Sequence, residues 1–180
     1  DLGYYYYQGK FVPRNINVAL SYFIESTDND YSDVYVMESY YYLGIIYHQG
    51  LFVIRDIKNA IFYYKQASSL KFSKAKNNLA IIYKNGLDCQ KMIGYAIELL
   101  KEAIKQDREP VFIYNLAHIY FFEEIEDEID NCINLLITLI QNKFKPAKDL
   151  LCLVLVNKYK PITLEIIKKN IGKKYNRSIL

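Results

Sequence analysis

The sequence predicts an all-α protein, a right-handed α-solenoid of stacked helix-turn-helix repeats, on two observations. A leucine, a small residue and, at the fifth position, a tyrosine recur as Leu2-Gly3…Tyr6, Leu43-Gly44…Tyr47, Leu79-Ala80…Tyr83 and Leu116-Ala117…Tyr120, with starts 41, 36 and 37 residues apart. Downstream of each copy, apolar residues return in steps of three and four, the period of a helix buried along one stripe. A period of this length means equivalent helix pairs in a row, not one mixed core.

In the first copy the first helix ends at Gly9, and Pro13-Arg14-Asn15 leads into a second helix with Ile16, Ala19, Leu20 and Phe23 on its buried side. The second copy ends its first helix at Gly50; Asp56 then caps a helix whose apolar face runs Ile57, Ala60, Ile61, Tyr64, Ala67. The third ends at Gly86 and continues with Ile93, Ala96, Ile97, Leu100, Ala103. The fourth has Glu123 in the glycine slot, which unsettles its turn, and its stripe Ile129, Cys132, Ile133, Leu136, Leu139 arrives one residue early. Glycine at the end of a first helix supplies a left-handed residue without steric cost. Gly3, Gly44, Ala80 and Ala117 mark where the first helix of a unit approaches the second, and a larger side chain there overpacks the crossing by roughly 1–3 kcal/mol.

A divergent fifth unit follows. Residues 146–151 align with the start of the third unit, and Leu155 replaces the tyrosine. Pro161 can open a last helix with Leu164, Ile167 and Ile171 on its apolar side and lysines outside, as a terminal cap requires. The expected layout is an array over 1–172, with units near 1–30, 31–70, 71–107, 108–143 and 144–172, then a basic tail over 173–180. Asp1 stands one residue before the first leucine, so the first unit is expected to be truncated and the array to continue upstream.

These residues resemble the Sel-one-like repeat family, a longer relative of the tetratricopeptide repeat. The resemblance rests on Leu-Gly-x-x-Tyr-x-x-Gly, an alanine seventeen residues after the leucine, and aromatic and Lys-x-Ala positions. The second unit shows it most fully, as Leu43, Gly44, Tyr47, Gly50, Asp56, Ala60, Tyr63, Tyr64, Lys65 and Ala67. The resemblance implies a scaffold for protein contacts, as in quality control, signalling complexes and host–microbe contact. Some secreted members pair cysteines between the two helices of a unit; this chain has no such pair.

Composition excludes several function classes. Net charge is +3 with 24% charged residues, so nothing demands nucleic acid. The apolar runs 135–140 and 150–156 are far shorter than the ~20 residues a transmembrane helix needs. Cys89, Cys132 and Cys152 have no Cys-x-x-Cys spacing and point to a reducing, cytoplasmic compartment. Cys132 and Cys152 fall in small-residue slots and are expected to be buried thiols. His48 and His118 lie in different units without a neighbour at metal-ligand spacing, and no phosphate loop or nucleophile motif is present. No catalytic residue, cofactor or metal is therefore expected. The acidic run Glu123 to Asp130 reads as a solvated helix start. The lysines from Lys158 to Lys174, with Arg177, read as a cap that keeps the end soluble. Asn176-Arg177-Ser178 matches a glycosylation acceptor, as a chain rich in asparagine does by chance.

First helices line the concave side of such a solenoid. That phase nominates Tyr4, Tyr7, Tyr41, Ile45, His48, Asn77, Ile81, Lys84, Tyr114, His118 and Phe121 as a groove for a protein or peptide partner. The expected function is a non-catalytic adaptor. A structural subunit of a permanent assembly and the regulatory arm of a larger enzyme (a kinase or ubiquitin ligase) are the alternatives. RNA binding would need a basic groove, and this one holds a single lysine.

Overall fold

The structure, a computed structural model, describes residues 2–28 and 33–159. Every regular element among them is helical: α1 (Leu2–Gln8), α2 (Ile16–Asp28), α3 (Asp33–Gln49), α4 (Ile57–Ser69), α5 (Ser73–Asn85), α6 (Ile93–Gln106), α7 (Pro110–Phe122) and α8 (Ile129–Gln141), with a 3-10 turn at Glu126–Glu128. A further helix, α9, covers 146–159. The fold class is thus the expected one, all-α and built of helix hairpins. The expected helix from Pro161, the basic tail and Asn176 lie outside the described residues. The chain divides into two compact units, Asp1–Phe112 and Ile113–Leu180.

In the first unit each helix packs on its neighbours in the chain, from α1 against α2 through to α5 against α6. This is the contact pattern of a linear repeat. Its loops are copies of one another. Gly9, Gly50 and Gly86 end α1, α3 and α5 in the left-handed region, with φ of 71°, 67° and 64°. The backbone N–H of Asn15, Asp56 and Met92 then donates to the carbonyl of Tyr6, Tyr47 and Tyr83, each at 2.9 Å. The repeated tyrosine thus pins the loop through its backbone. Arg14 Nε and Arg55 Nε donate to the last-turn carbonyls of Tyr7 and His48 at 3.1 Å. Asp56 Oδ1 accepts from the Asn59 N–H at 3.0 Å, the expected cap of α4, and Asn15 Oδ1 does the same for Val18 at 3.2 Å.

Small residues decide where the helices cross. Gly44 is buried, and a Cβ there would stand 2.5 Å from Cδ1 and Cε1 of Tyr64, whose own exposure is 1%. By position the same facing slots hold Gly3 with Phe23, Ala80 with Leu100, and Ala117 with Leu136, all of them buried. An aromatic ring stands opposite glycine and a leucine opposite alanine, so the volume at the crossing is held nearly constant. Between hairpins, Ile16, Ala19 and Phe23 of α2 close on Leu43 and Ile46 of α3.

Among the described residues the most deeply buried polar side chain is a serine. Ser39, four residues before Leu43, is fully buried and its hydroxyl has no hydrogen-bond partner. The equivalent positions are Ala75 and Phe112, both buried and apolar. Desolvating an unpaired hydroxyl costs free energy that alanine does not. Ser39→Ala is expected to raise the unfolding free energy by about 1 kcal/mol in urea titration; a loss of stability would show that the hydroxyl has a partner.

In the second unit, Cys132 Sγ donates to the carbonyl of Ala117 at 3.2 Å, which joins α7 and α8. Its burial, expected from the small-residue slot, pushes the thiol up to about 11. Cys152 was expected to be buried as well and is exposed. The buried stripe of α9 is Ala147, Leu150 and Val154, in steps of three and four, and Cys152 lies off it. The α7–α8 loop also departs from the others. The left-handed residue is Glu124 (φ 52°), one past the glycine slot, and the Ile125 N–H closes on the Tyr120 carbonyl at 3.1 Å.

Candidate functional site

The first-helix residues nominated above divide between the two units. In the first unit, the rings form a connected array whose centre is Tyr42, a residue not among the nominated ones. Its ring centroid lies 5.5 Å from Tyr4, 5.0 Å from Tyr7, 5.4 Å from Tyr41 and 5.2 Å from Phe23, on which it stacks. Tyr41 continues the array to Phe72 at 5.0 Å and Tyr64 at 6.1 Å. Asn78 hydrogen-bonds the hydroxyls of both Tyr41 and Tyr64. One hairpin therefore fixes the polar ends of two rings on the hairpin before it.

Burial leaves these phenols half covered, and it is the main reason that Tyr7 and Tyr41 hold their protons above the usual phenol range and Tyr42 well above it. The Arg14 guanidinium lies 6.0 Å over the Tyr7 ring. His48 Nδ1 stands 3.5 Å from the Tyr64 hydroxyl. Burial first and Arg55 second push the His48 imidazolium down, so the ring is neutral near pH 7 and offers hydrogen bonding without charge. Ile45, Ile81 and Lys84 are half-buried. Asn77 is 7% exposed and its amide donates to Asn78 Oδ1 at 3.4 Å, so it supports the surface from beneath.

In the second unit, Tyr114 lies 6.3 Å from His118 and 5.7 Å from Phe144. His118 stacks on Phe122 at 4.2 Å, and Phe121 meets the same ring edge-on at 4.9 Å. Phe121 also lines an open cavity of about 290 Å³ with Glu124, Glu126, Ile129, Val154, Asn157 and Lys158. The ammonium of Lys158 pairs with the Asp130 carboxylate beside it. Sequence reasoning missed this cavity because its walls come from a loop and a helix that depart from the repeat.

Sequence could have found Tyr42, which directly precedes the repeat leucine, in the slot that Asn78 occupies one unit later. Phe72 gave no such signal, since it lies between helices. Among the described residues no three His, Cys, Asp or Glu side chains gather as metal ligands would. No described helix is long and apolar enough to cross a membrane. The surface is rich in rings with hydroxyl tips. Such a surface offers contact area and hydrogen bonds to a ligand.

Comparison with known proteins agrees with this geometry. The model of the Sel1 repeat matches residues 1–31, 38–72 and 73–107. A Sel1 repeat protein from Oxalobacter formigenes has a similar structure, with a TM-score of 0.69 at 16% identity over 83% of this chain and 60% of its own. A protective antigen present in uropathogenic Escherichia coli strains, displaying an SLR fold, superposes with a TM-score of 0.76 at 22% identity, over 87% of this chain and 32% of its own. The chain thus spans less than two thirds of either structure, and at these identities the likeness shows the fold. No curated protein matches the chain significantly. Three matched repeats cover more than half of the sequence, and the chain belongs to the Sel1 repeat family.

Proposed function

We propose that the chain is a non-catalytic scaffold that holds a protein or peptide partner on the first-helix faces of its repeats. Sel1 repeats generally serve as protein-interaction scaffolds. The observation that carries the reading for this chain is the ring array of Tyr4, Tyr7, Tyr41 and Tyr42, half-buried and joined to Asn78 across hairpins. Such rings present large, rigid contact area that loses little entropy on binding. In the second unit Tyr114, His118 and Phe121 supply the corresponding face.

A photo-crosslinking residue at position 41 of the full-length protein is expected to trap a partner that the same residue at Lys65, exposed on a second helix, does not. Tyr41→Ala combined with Tyr114→Ala is expected to abolish capture of that partner while the helical circular dichroism is kept. Equal trapping from both positions, or capture that survives the double substitution, would remove the assignment.

A further inference from the structure

The loops after α1 and α3 carry phenylalanines that the fold does not use. Phe11 and Phe52 each lie two residues past the terminating glycine and are 83% and 75% exposed; Ile54 beside Phe52 is 92% exposed. Both phenylalanines are left-handed, with φ of 68° and 58°, where a bulky side chain is a rare and strained choice. The third loop shows that the conformation itself does not call for an aromatic: the same slot holds Asp88 at φ 47°, a residue at home there. Leu51 and Val53, which alternate with Phe52 and Ile54, pack on the core, so the loop already has its own apolar anchors. Phe11 touches the edge of Tyr5 at 5.5 Å and sits 5.3 Å under the Lys10 ammonium, and stays open to water.

We propose that this loop edge docks on an anionic phospholipid surface, with Phe11, Phe52 and Ile54 entering the headgroup–acyl boundary. The two loops close with the same hydrogen bonds in adjacent repeats and so emerge at the same edge of the stack. The two loops and the first turns after them, residues 9–18 and 50–59, carry Lys10, Arg14, Arg55 and Lys58, all exposed, and one acid, Asp56, which is engaged in capping α4. Single rings that protrude from loop tips suit a soft apolar layer under a negative face; a folded protein would need a separate pit for each ring. Phe11, Phe52 and Ile54 are not members of the tyrosine array, so substitutions at these positions test the edge apart from the array and either assignment can fail alone.

The test is co-sedimentation of the full-length protein with vesicles of phosphatidylcholine alone and of phosphatidylcholine with phosphatidylserine. Wild type is expected to bind the anionic vesicles, more weakly as salt rises. Phe11→Asn with Phe52→Asn should weaken that binding about tenfold or more, with the thermal midpoint equal or higher because asparagine accepts the left-handed region. Lys10→Gln with Lys58→Gln should remove most of the preference for the anionic vesicles. Three outcomes would overturn the proposal. The first is no binding by wild type. The second is binding untouched by the asparagine variant, including binding lost only when the lysines between Lys168 and Lys174 are neutralised. The third is the asparagine variant losing a protein partner while it keeps the vesicles.

Discussion

Gly44→Ala is expected to destabilise the protein by about 3 kcal/mol, the upper end of the overpacking range. The added methyl would be fixed to the α3 backbone, 2.5 Å from two atoms of the Tyr64 ring and 3.0 Å from a third. That ring is 1% exposed and its hydroxyl is tied to Asn78, so it cannot swing into solvent without loss of both packing and a hydrogen bond. The facing pairs of the other repeats name the rescue. Ala80 faces Leu100 and Ala117 faces Leu136 by position, so Gly44→Ala with Tyr64→Leu would rebuild in the second repeat what the third already has. Tyr64→Leu alone opens space beside Gly44 and also costs stability. The double variant is expected to be more stable than the sum of the two losses by about 1.5 kcal/mol or more, measured as a coupling energy in denaturant titrations. Additive losses would mean that the two slots do not set each other's size.

A steep loss of stability above pH 10 is the second large effect. Tyr64 is buried, and burial is the main reason that it keeps its proton well above the usual phenol range; Tyr41 and Tyr7 add smaller effects in the same direction. The unfolded chain releases these protons near pH 10, whereas the folded chain retains them. A raised folded-state value means that the stability is fully present below pH 10 and is lost as pH climbs from there through the folded value. For Tyr64 the slope is about 1.4 kcal/mol per pH unit while the folded phenol stays protonated. Tyr42 and Tyr41 shift the same way but are more open to water, so screening reduces their share. Urea midpoints measured from pH 9 upward are expected to fall steeply for wild type and less steeply for Tyr64→Phe. Tyr64→Phe should also lose about 1 kcal/mol at neutral pH with the Asn78 hydrogen bond. A flat profile above pH 10, or equal slopes for both proteins, would contradict the assigned burial.

Much of the fold was legible because the repeat states the same requirement several times. Gly9, Gly50 and Gly86 share one backbone conformation, and the small residue after each leucine announces a close crossing. Where the chain leaves the pattern, legibility ends. With Glu123 in the slot of a loop glycine, the left-handed residue moved one position on, to Glu124, and Cys152, read as a slot equivalent to Gly44, fell outside the buried stripe of α9. The ring array was half visible. Residue spacing nominated Tyr4, Tyr7 and Tyr41 and passed over Tyr42, although its place before the repeat leucine was a usable signal, whereas Phe72 at the edge depends on how neighbouring hairpins meet, which periodicity does not state. Ser39 was hidden for a related reason, because an unpaired hydroxyl is a property of its surroundings and not of its spacing.

Because consecutive helices of the first unit meet mainly their chain neighbours, closing any hairpin requires only a short stretch of polypeptide to find itself. Assembly can therefore start at several places and spread by annexing the adjoining rods, with little entropy spent on long loops. Of these three hairpins, α3–α4 packs on a neighbour at each end, and its amide protons should be among the last to exchange.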